Sequence, residues 1–252
     1  VSAALLATLL VEFQSELAAK VGKLDSDPHL WMPMTLQRDS YINTMGGKGV
    51  TEEVSGKHYD RITHMMETFM ASAGNADLGT FGPVDVGTGP CWWDYGQVKL
   101  YAKNALLITD TTQEAAFMRQ FFRMSDMDRT RGSKVAAGVT VDAQSVVAMS
   151  EIGAGNVSKS VLTGVRCKYI EADGCILVNV TADRVIAKPG SILYNVCCAG
   201  TLTGDANDIH AGVTKADGTQ VIIRSSLNID GGKAWDDKVE GNEYSFGEVH
   251  GT

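Results

Sequence analysis

Between Ser160 and Val196 the chain repeats itself. "SVLTGVRCKYIEADGC" (Ser160 to Cys175), "CILVNVTADRVIAKPGS" (Cys175 to Ser191) and "SILYNV" (Ser191 to Val196) align so that Leu162, Leu177 and Leu193 share one register. Val165, Val180 and Val196 share another, Ile170 matches Ile186, and Asp173-Gly174 matches Pro189-Gly190 at a turn. A short unit of this kind cannot bury its apolar face alone and must stack on the next copy. The repeat therefore predicts a solenoid with close to three short strands per turn. Leu, Val and Ile point inwards, each onto the like residue of the next rung. Asn179 falls over Asn195, where amide ladders or turn bonds suit the side chains.

The preceding "SEIGAGNVSKS" has the same small-residue, apolar-anchor character, so the repeat runs from about Val139 to Val196. This pattern resembles the left-handed parallel β-helix built from hexapeptide-like repeats; a flat β-meander is the alternative. After the coil, Ala216-Asp217-Gly218-Thr219 marks a hairpin between two apolar-alternating strands. Residues 135–230 are thus expected to form a β-helix with a terminal hairpin. The glycine-rich, acidic residues 231–252 have no periodicity and are expected to be an irregular tail.

Residues 1–130 have another texture. "SELAAKVGKL" (Ser15 to Leu24) offers a Ser N-cap and an apolar helical face. "HYDRITHMMETFMASAG" (His58 to Gly74) places Ile62, Met65, Met66 and Phe69 at i, i+3, i+4 and i+7, an amphipathic helix closed by Gly74. "TTQEAAFMRQFFRM" (Thr111 to Met124) predicts a third helix, with Thr at its start. "LGTFGPVDVG" and "PCWWDYG" read as short buried strands between glycines. Together these segments predict a partial α/β domain, with the polar "MDRTRGSK" (Met127 to Lys134) as the boundary to the coil.

Within 252 residues a full-sized core can be buried, as one large or two modest domains. The net charge of −8 argues against nucleic acid as a partner, because neutralising phosphates needs clustered Lys and Arg. Small anionic substrates remain compatible with an acidic exterior that holds a local basic pocket. Cys91, Cys167, Cys175, Cys197 and Cys198 are odd in number and lack paired spacings. They read as reduced thiols, which points to the cytoplasm or another reducing compartment, organelles included. Cys197 and Cys198, adjacent on a strand, are expected on opposite faces. The opening "VSAALLATLLVEF" is too short to span a bilayer and carries no basic n-region. It reads as a core strand or helix inside a longer or processed protein.

The chemistry-bearing candidate is Asp94 in Trp92-Trp93-Asp94-Tyr95-Gly96. On a strand Trp92 and Asp94 would share one face, and a carboxylate at a strand end before a glycine turn can meet a divalent cation and phosphate oxygens. Mg²⁺ needs few protein ligands and takes carboxylates together with substrate phosphates. The commoner role of such an aspartate is to form the turn itself. Asp25, Asp27, His29 and Trp31 cluster in "DSDPHLWMPMT", but Asp-Pro and the lack of a second nearby histidine favour turn chemistry beside a cleft over a metal site. His210, near the end of the coil, is a candidate general base of the kind a β-helix acyltransferase uses, with a structural histidine as the alternative.

"FGPVDVG" followed by "WWDYGQVKLYAKNALLI", with "DPHLWMPMT" upstream and a β-helix downstream, resembles the sugar-1-phosphate nucleotidyltransferases. The resemblance implies a Rossmann-like catalytic domain followed by a left-handed β-helix. It also implies that Asp94, matching the family's Trp-x-Asp-x-Gly-like strand, holds Mg²⁺. "LVEFQSELAAKVG" resembles the family's strand and helix after the sugar pocket, which makes Glu12 a candidate contact to a sugar hydroxyl. The family's Gly-rich G-x-G-T-R loop and its second metal-binding Asp have no counterpart. "MGGKGV" (Met45 to Val50) and "GTGP" follow no suitable strand. The expectation is the C-terminal part of a Mg²⁺-dependent enzyme that joins a sugar-1-phosphate to a nucleoside triphosphate, incomplete without an N-terminal half. The alternative is a non-catalytic β-helix scaffold whose flat faces dock partner subunits.

Overall fold

Every regular element described before Pro90 is helical. The computed structural model describes residues 2–19, 25–72, 74–75 and 85–250. These fall into two compact units, Val1–Pro90 and Cys91–Thr252. In the first, α1 (Ala3–Glu12) starts at Ser2, whose Oγ accepts from Leu5 N at 3.2 Å. The Ala- and Leu-rich run thus takes the helical option, with no strand before α2 (Gln14–Ala19). Ser15 lies inside α2 instead of capping it, and Lys20 to Leu24 lie outside the described residues.

A wide helical turn over Asp27–Trp31 leads into α3 (Met32–Thr35), α4 (Arg38–Gly47) and α5 (Glu52–Ala71). The last starts six residues before His58, because Thr51 accepts from Val54 N at 3.4 Å and Glu52 and Glu53 favour the positive end of the helix dipole. Ile62, Met65 and Phe69 bury their stripe against Leu5, Leu9 and Phe13.

The strands expected in residues 1–130 are absent among the described residues. "LGTFGPVDVG" lies mostly outside them, and "PCWWDYG" is irregular, with Trp92 87% exposed. Among the described residues no neighbouring strand takes up its backbone groups, so "PCWWDYG" itself is not a strand of the expected Rossmann-like sheet.

The second unit opens with α6 (Val98–Leu107) and α7 (Gln113–Phe121), the latter capped by Thr112, which accepts from Ala115 N at 3.3 Å. A 3-10 turn over Asp126–Thr130 then brings Arg129 onto the carbonyl of Gln144. The solenoid follows in short strands: β1 (Lys134–Val135), β2 (Val139–Val141), β3 (Val146–Ala148), β4 (Glu151–Ile152), β5 (Gly155–Ser158), β6 (Val161–Thr163) and β7 (Arg166–Asp173). It continues through β8 (Ile176–Val178), β9 (Thr181–Ala187), β10 (Ile192–Tyr194), β11 (Thr201–Gly204) and β12 (Asp208–Thr214), and closes with β13 (Gln220–Ser226).

One sheet stacks β3, β6, β8, β10 and β12 in parallel; the other builds on β4, β5, β7, β9 and β11. Val147, Leu162, Leu177 and Leu193 pair rung to rung and are fully buried, as are Val165, Val180 and Val196. This is the expected parallel solenoid in place of a meander.

One register differs from expectation. Ile170 pairs with Val185, and Ile186 faces Glu171. Ala172 pairs with Ala187 before Ile176 pairs with Ile192, so the extra residue between Leu177 and Leu193 is taken up in the Lys188–Gly190 turn. Asn179 and Asn195 form the expected amide contact, Nδ2 to Oδ1 at 3.1 Å, and both sit at φ 53°, a left-handed backbone that asparagine tolerates. At another corner the Ser145 and Ser160 hydroxyls accept from the amides of Ser160 and Cys175, each at 3.2 Å, which satisfies donors that the turn would leave buried. The coil requires glycine at Gly155: its φ is +113°, and a Cβ there would stand 1.8 Å from the Ile170 carbonyl oxygen.

The expected hairpin closes the stack. β13 runs antiparallel to β12, and Gly218 N bonds Lys215 O at 2.9 Å across the turn. Asn242 then pairs with the outer edge of β13, accepting from Arg224 N at 2.9 Å and donating to Arg224 O at 2.7 Å. That contact occupies backbone groups of an otherwise open strand. The tail is more ordered than expected, with α8 (Gly231–Asp236) capped by Asp230 and α9 (Phe246–His250). No described helix is long and apolar enough to cross a membrane.

Leu177→Ala should lower unfolding stability by about 2–5 kcal/mol, the usual cost of a cavity in a close-packed core, as read from urea denaturation. Gly155→Ala should cost stability by a separate route, through the clash with the next rung. A wild-type midpoint in either variant would contradict the stacked register.

Candidate functional site

The turn at Asp94 leads directly into α6, and α6 lies along the outer face of the solenoid. Val98, Tyr101, Ala102, Ala105 and Leu106 recur at helical spacing. Ala102 packs with Ile176, Ile192 and Ile209, flanked by Tyr101, Ala105 and Leu106. Burial pushes the Tyr101 phenol above its ordinary pKa, with smaller contributions from Tyr194 and Tyr95, so it stays neutral.

Asp94 is exposed, and its Oδ1 accepts from Gly96 N at 2.7 Å. Its carbonyl accepts from the buried Asn104 Nδ2 at 2.6 Å. Asp94 therefore shapes the turn that aims the chain into α6. Its other carboxylate oxygen has no hydrogen bond among the described residues. No group of three or more His, Cys, Asp or Glu side chains suited to a metal ion occurs among the described residues. Asp94 thus offers one oxygen, and the described residues do not supply further carboxylate, His or Cys ligands in a group with it.

Glu12, the second candidate, ends α1 and stands at no strand end. Arg61 Nη1 donates to its Oε1 at 2.9 Å and to its carbonyl at 3.1 Å. The same guanidinium reaches Glu16 and lies 5.3 Å over the Phe13 ring. Glu12 and Asp94 belong to different units. In the Asp25–Trp31 segment, Asp25 Oδ1 accepts from Asp27 N at 3.3 Å and the Asp25 carbonyl lies 2.8 Å from His29 Nδ1, as turn chemistry requires. His58 Nε2 stands 2.8 Å from the His29 carbonyl, and Tyr41 donates to the Pro28 carbonyl at 2.9 Å.

Sequence reasoning did not find the cavity at the start of α6. It measures about 660 Å³ and is lined by Gly96 to Lys99, Ile209, Ser225 to Gly232, Ala234, Trp235 and Phe246. Its wall is built from segments far apart in the chain, so no local motif signals it. Gln97 occupies the N-cap position of α6 without making a side-chain cap. Ser226 Oγ accepts from Asn228 N at 3.2 Å. Asp230 Oδ1 accepts from Gly232 N at 2.9 Å and from Lys233 N at 3.2 Å. The only sign in the sequence was the hairpin followed by Asn228-Ile229-Asp230-Gly231-Gly232, a turn-rich stretch.

His210 points into the end of the coil, in register with Leu193 and opposite Arg224, and is buried. Burial holds its pKa below the ordinary histidine value; Arg224 acts in the same direction, and Asp208 and Asp205 oppose it. A buried, neutral ring suits a structural role. The five cysteines are unpaired; Cys197 is exposed and Cys198 packs on the core, so the two face opposite ways as expected. Burial pushes the Cys175 thiol up to about 12.

The fold and cavity define a parallel β-solenoid protein with a flanking helix and a hairpin cap. No family model, curated protein or solved structure matches the chain.

Because the folded state favours neutral His210, the unfolded state binds more protons below the unperturbed pKa of about 6.5. Stability is therefore lost as pH falls from there through the lower folded value. His210→Gln should show a shallower acid-side fall in urea midpoint than wild type. Parallel pH curves would remove His210 from the explanation.

Proposed function

We propose that this chain is the C-terminal part of a Mg²⁺-dependent sugar-1-phosphate nucleotidyltransferase, and that its solenoid is a left-handed β-helix that carries and assembles the catalytic half. The supporting observation is the order of parts: a Trp-Trp-Asp-Tyr-Gly turn feeds a helix that lies along a parallel solenoid. In the complete enzyme a sugar-1-phosphate oxygen attacks the α-phosphorus of a nucleoside triphosphate and pyrophosphate leaves. Catalysis of that step is chiefly electrostatic positioning. The Gly-rich loop that holds the nucleotide belongs to an N-terminal half. Asp94 offers its free carboxylate oxygen to a magnesium ion carried by the nucleotide phosphates, an ion that takes few protein ligands. Glu12, held by Arg61, keeps at most a bordering role towards sugar. Unpaired cysteines suit the cytoplasm or another reducing compartment.

A second reading, a non-catalytic scaffold subunit of a larger complex, is favoured by exposed aromatic surface. Trp92, Phe121 and Phe122 are all more than half exposed, and Trp93 meets Phe121 edge-on at 5.7 Å.

Mg²⁺ with a nucleoside triphosphate should raise the melting temperature by a few degrees, about 2–4 °C per kcal/mol of binding linkage. Asp94→Asn should abolish that rise. A rise unaffected by the substitution sinks the role of Asp94. No rise, together with a defined oligomer in sedimentation, replaces the enzyme reading with the scaffold.

A further inference from the structure

Both ring nitrogens of His58 are committed to partners that cannot exchange roles. Arg61 Nη2 lies 3.3 Å from Nδ1, and a guanidinium has only donors, so Nδ1 accepts. The His29 carbonyl lies 2.8 Å from Nε2 and can only accept, so Nε2 carries the single proton. A second proton would sit on Nδ1 and point at a cation.

The half-buried ring packs among aromatic side chains. Phe13 and Tyr41 lie with their centroids at 6.3 Å, and the His29 ring meets it edge-on at 5.5 Å. The charged groups around it come from several elements. Glu12 stands on α1, Glu16 on α2 and Arg61 on α5, while the turn before α3 supplies His29, whose Nδ1 is bound to the Asp25 carbonyl. From α4 come the Tyr41 phenol, tied to the Pro28 carbonyl, and Arg38, paired with Asp60. The residues of α3 include no titratable side chain. Burial lowers the pKa of His58; Arg61 and His29 act in the same direction, and the His29 carbonyl and Glu16 oppose them.

Arg61 is also the polar tie between the first two helices and α5. Its Nη1 donates to Glu12 Oε1 at 2.9 Å and its Nη2 to Glu16, while the guanidinium lies over Phe13. Glu16 keeps its charge in mild acid: burial works against it, but bonds from its own amide, Ser15 and Arg61 outweigh burial. A charged His58 therefore sets two cations against each other without losing the carboxylate that Arg61 holds. Relief requires the ring or the Arg61 head to move, and either shift pulls on the bonds to Glu12 and Glu16.

We propose that His58 is an acid-sensitive latch: proton uptake by its ring releases α1 and α2 from α5 and bares the apolar stripe of Ile62, Met65 and Phe69. Every group involved belongs to the unit Val1–Pro90, and neither Asp94 nor a nucleotide takes part. The docked state favours neutral His58. Docking is therefore fully supported above the ordinary histidine pKa of about 6.5 and is lost as pH falls from there through the lower docked value. A single proton limits the response to about tenfold in the opening equilibrium per pH unit.

The test is amide hydrogen exchange of the whole chain at about pH 7.5 and about pH 5.5, read by mass spectrometry and corrected for the intrinsic pH dependence of exchange. Wild-type amides of α1 and α2 should open up to about tenfold more often at the lower pH, while those of β6, β8 and β10 hold. His58→Gln offers a donor and an acceptor without a titrating ring, and should keep α1 and α2 protected at both pH values. His29→Gln keeps the carbonyl that bonds His58 and should retain the wild-type response. Should His58→Gln disturb the fold, nitrogen-15 chemical shifts of wild-type His58 give a second reading, with an Nε2–H tautomer near neutral pH and titration below about 6.5. Protection of α1 and α2 unchanged by pH, an equal loss in His58→Gln, a response abolished in His29→Gln, or an Nδ1–H tautomer would overturn the proposal.

Discussion

Rung-on-rung pairing in the solenoid is the interaction on which the second unit depends. Each short strand is too small to be stable by itself, and its backbone groups are satisfied only by the rungs on either side. The same stacking places Leu162 on Leu177 on Leu193, so hydrogen bonding and apolar burial are gained together. At the first described rung, Arg129 ties the 3-10 turn to Gln144, and at the last the stack changes direction in β13. An antiparallel hairpin whose outer edge is met by Asn242 ends the array without leaving a long open strand.

The flank of the stack creates the site. Because α6 covers Ile176, Ile192 and Ile209, its N-terminus must end somewhere over the hairpin, and the Asp94 turn fixes where. The cavity follows from that placement. A carboxylate that sequence alone offers to a cation serves first to bend the chain. Glu12 tells a parallel story in the other unit: its charge is held by Arg61 together with Glu16.

The outcome for individual elements shows where local reading succeeds. The helices around Ile62 and Met118 were legible because an apolar stripe at helical spacing has one economical way to be buried. The strands expected near Trp92 and at Glu12 were misread for a common reason: short apolar runs do not distinguish helix, strand and loop without their neighbours. The one-residue offset at Ile186 has a different origin. Aligned sequences show that a residue is added, whereas the backbone decides which turn absorbs it.

The repeat by itself determined the solenoid, its Leu and Val columns, the Asn179–Asn195 contact and the hairpin, because each depends on periodicity or on turn chemistry within a few residues. Tertiary structure alone decided that α6 lies on the outer face, that His210 is enclosed, and that Lys99 and Ser225 line one cavity. The first and last of those relations join residues some seventy to a hundred and thirty positions apart in the sequence. Local pattern carries no record of such distances; the free energy of burying one element against another selects them.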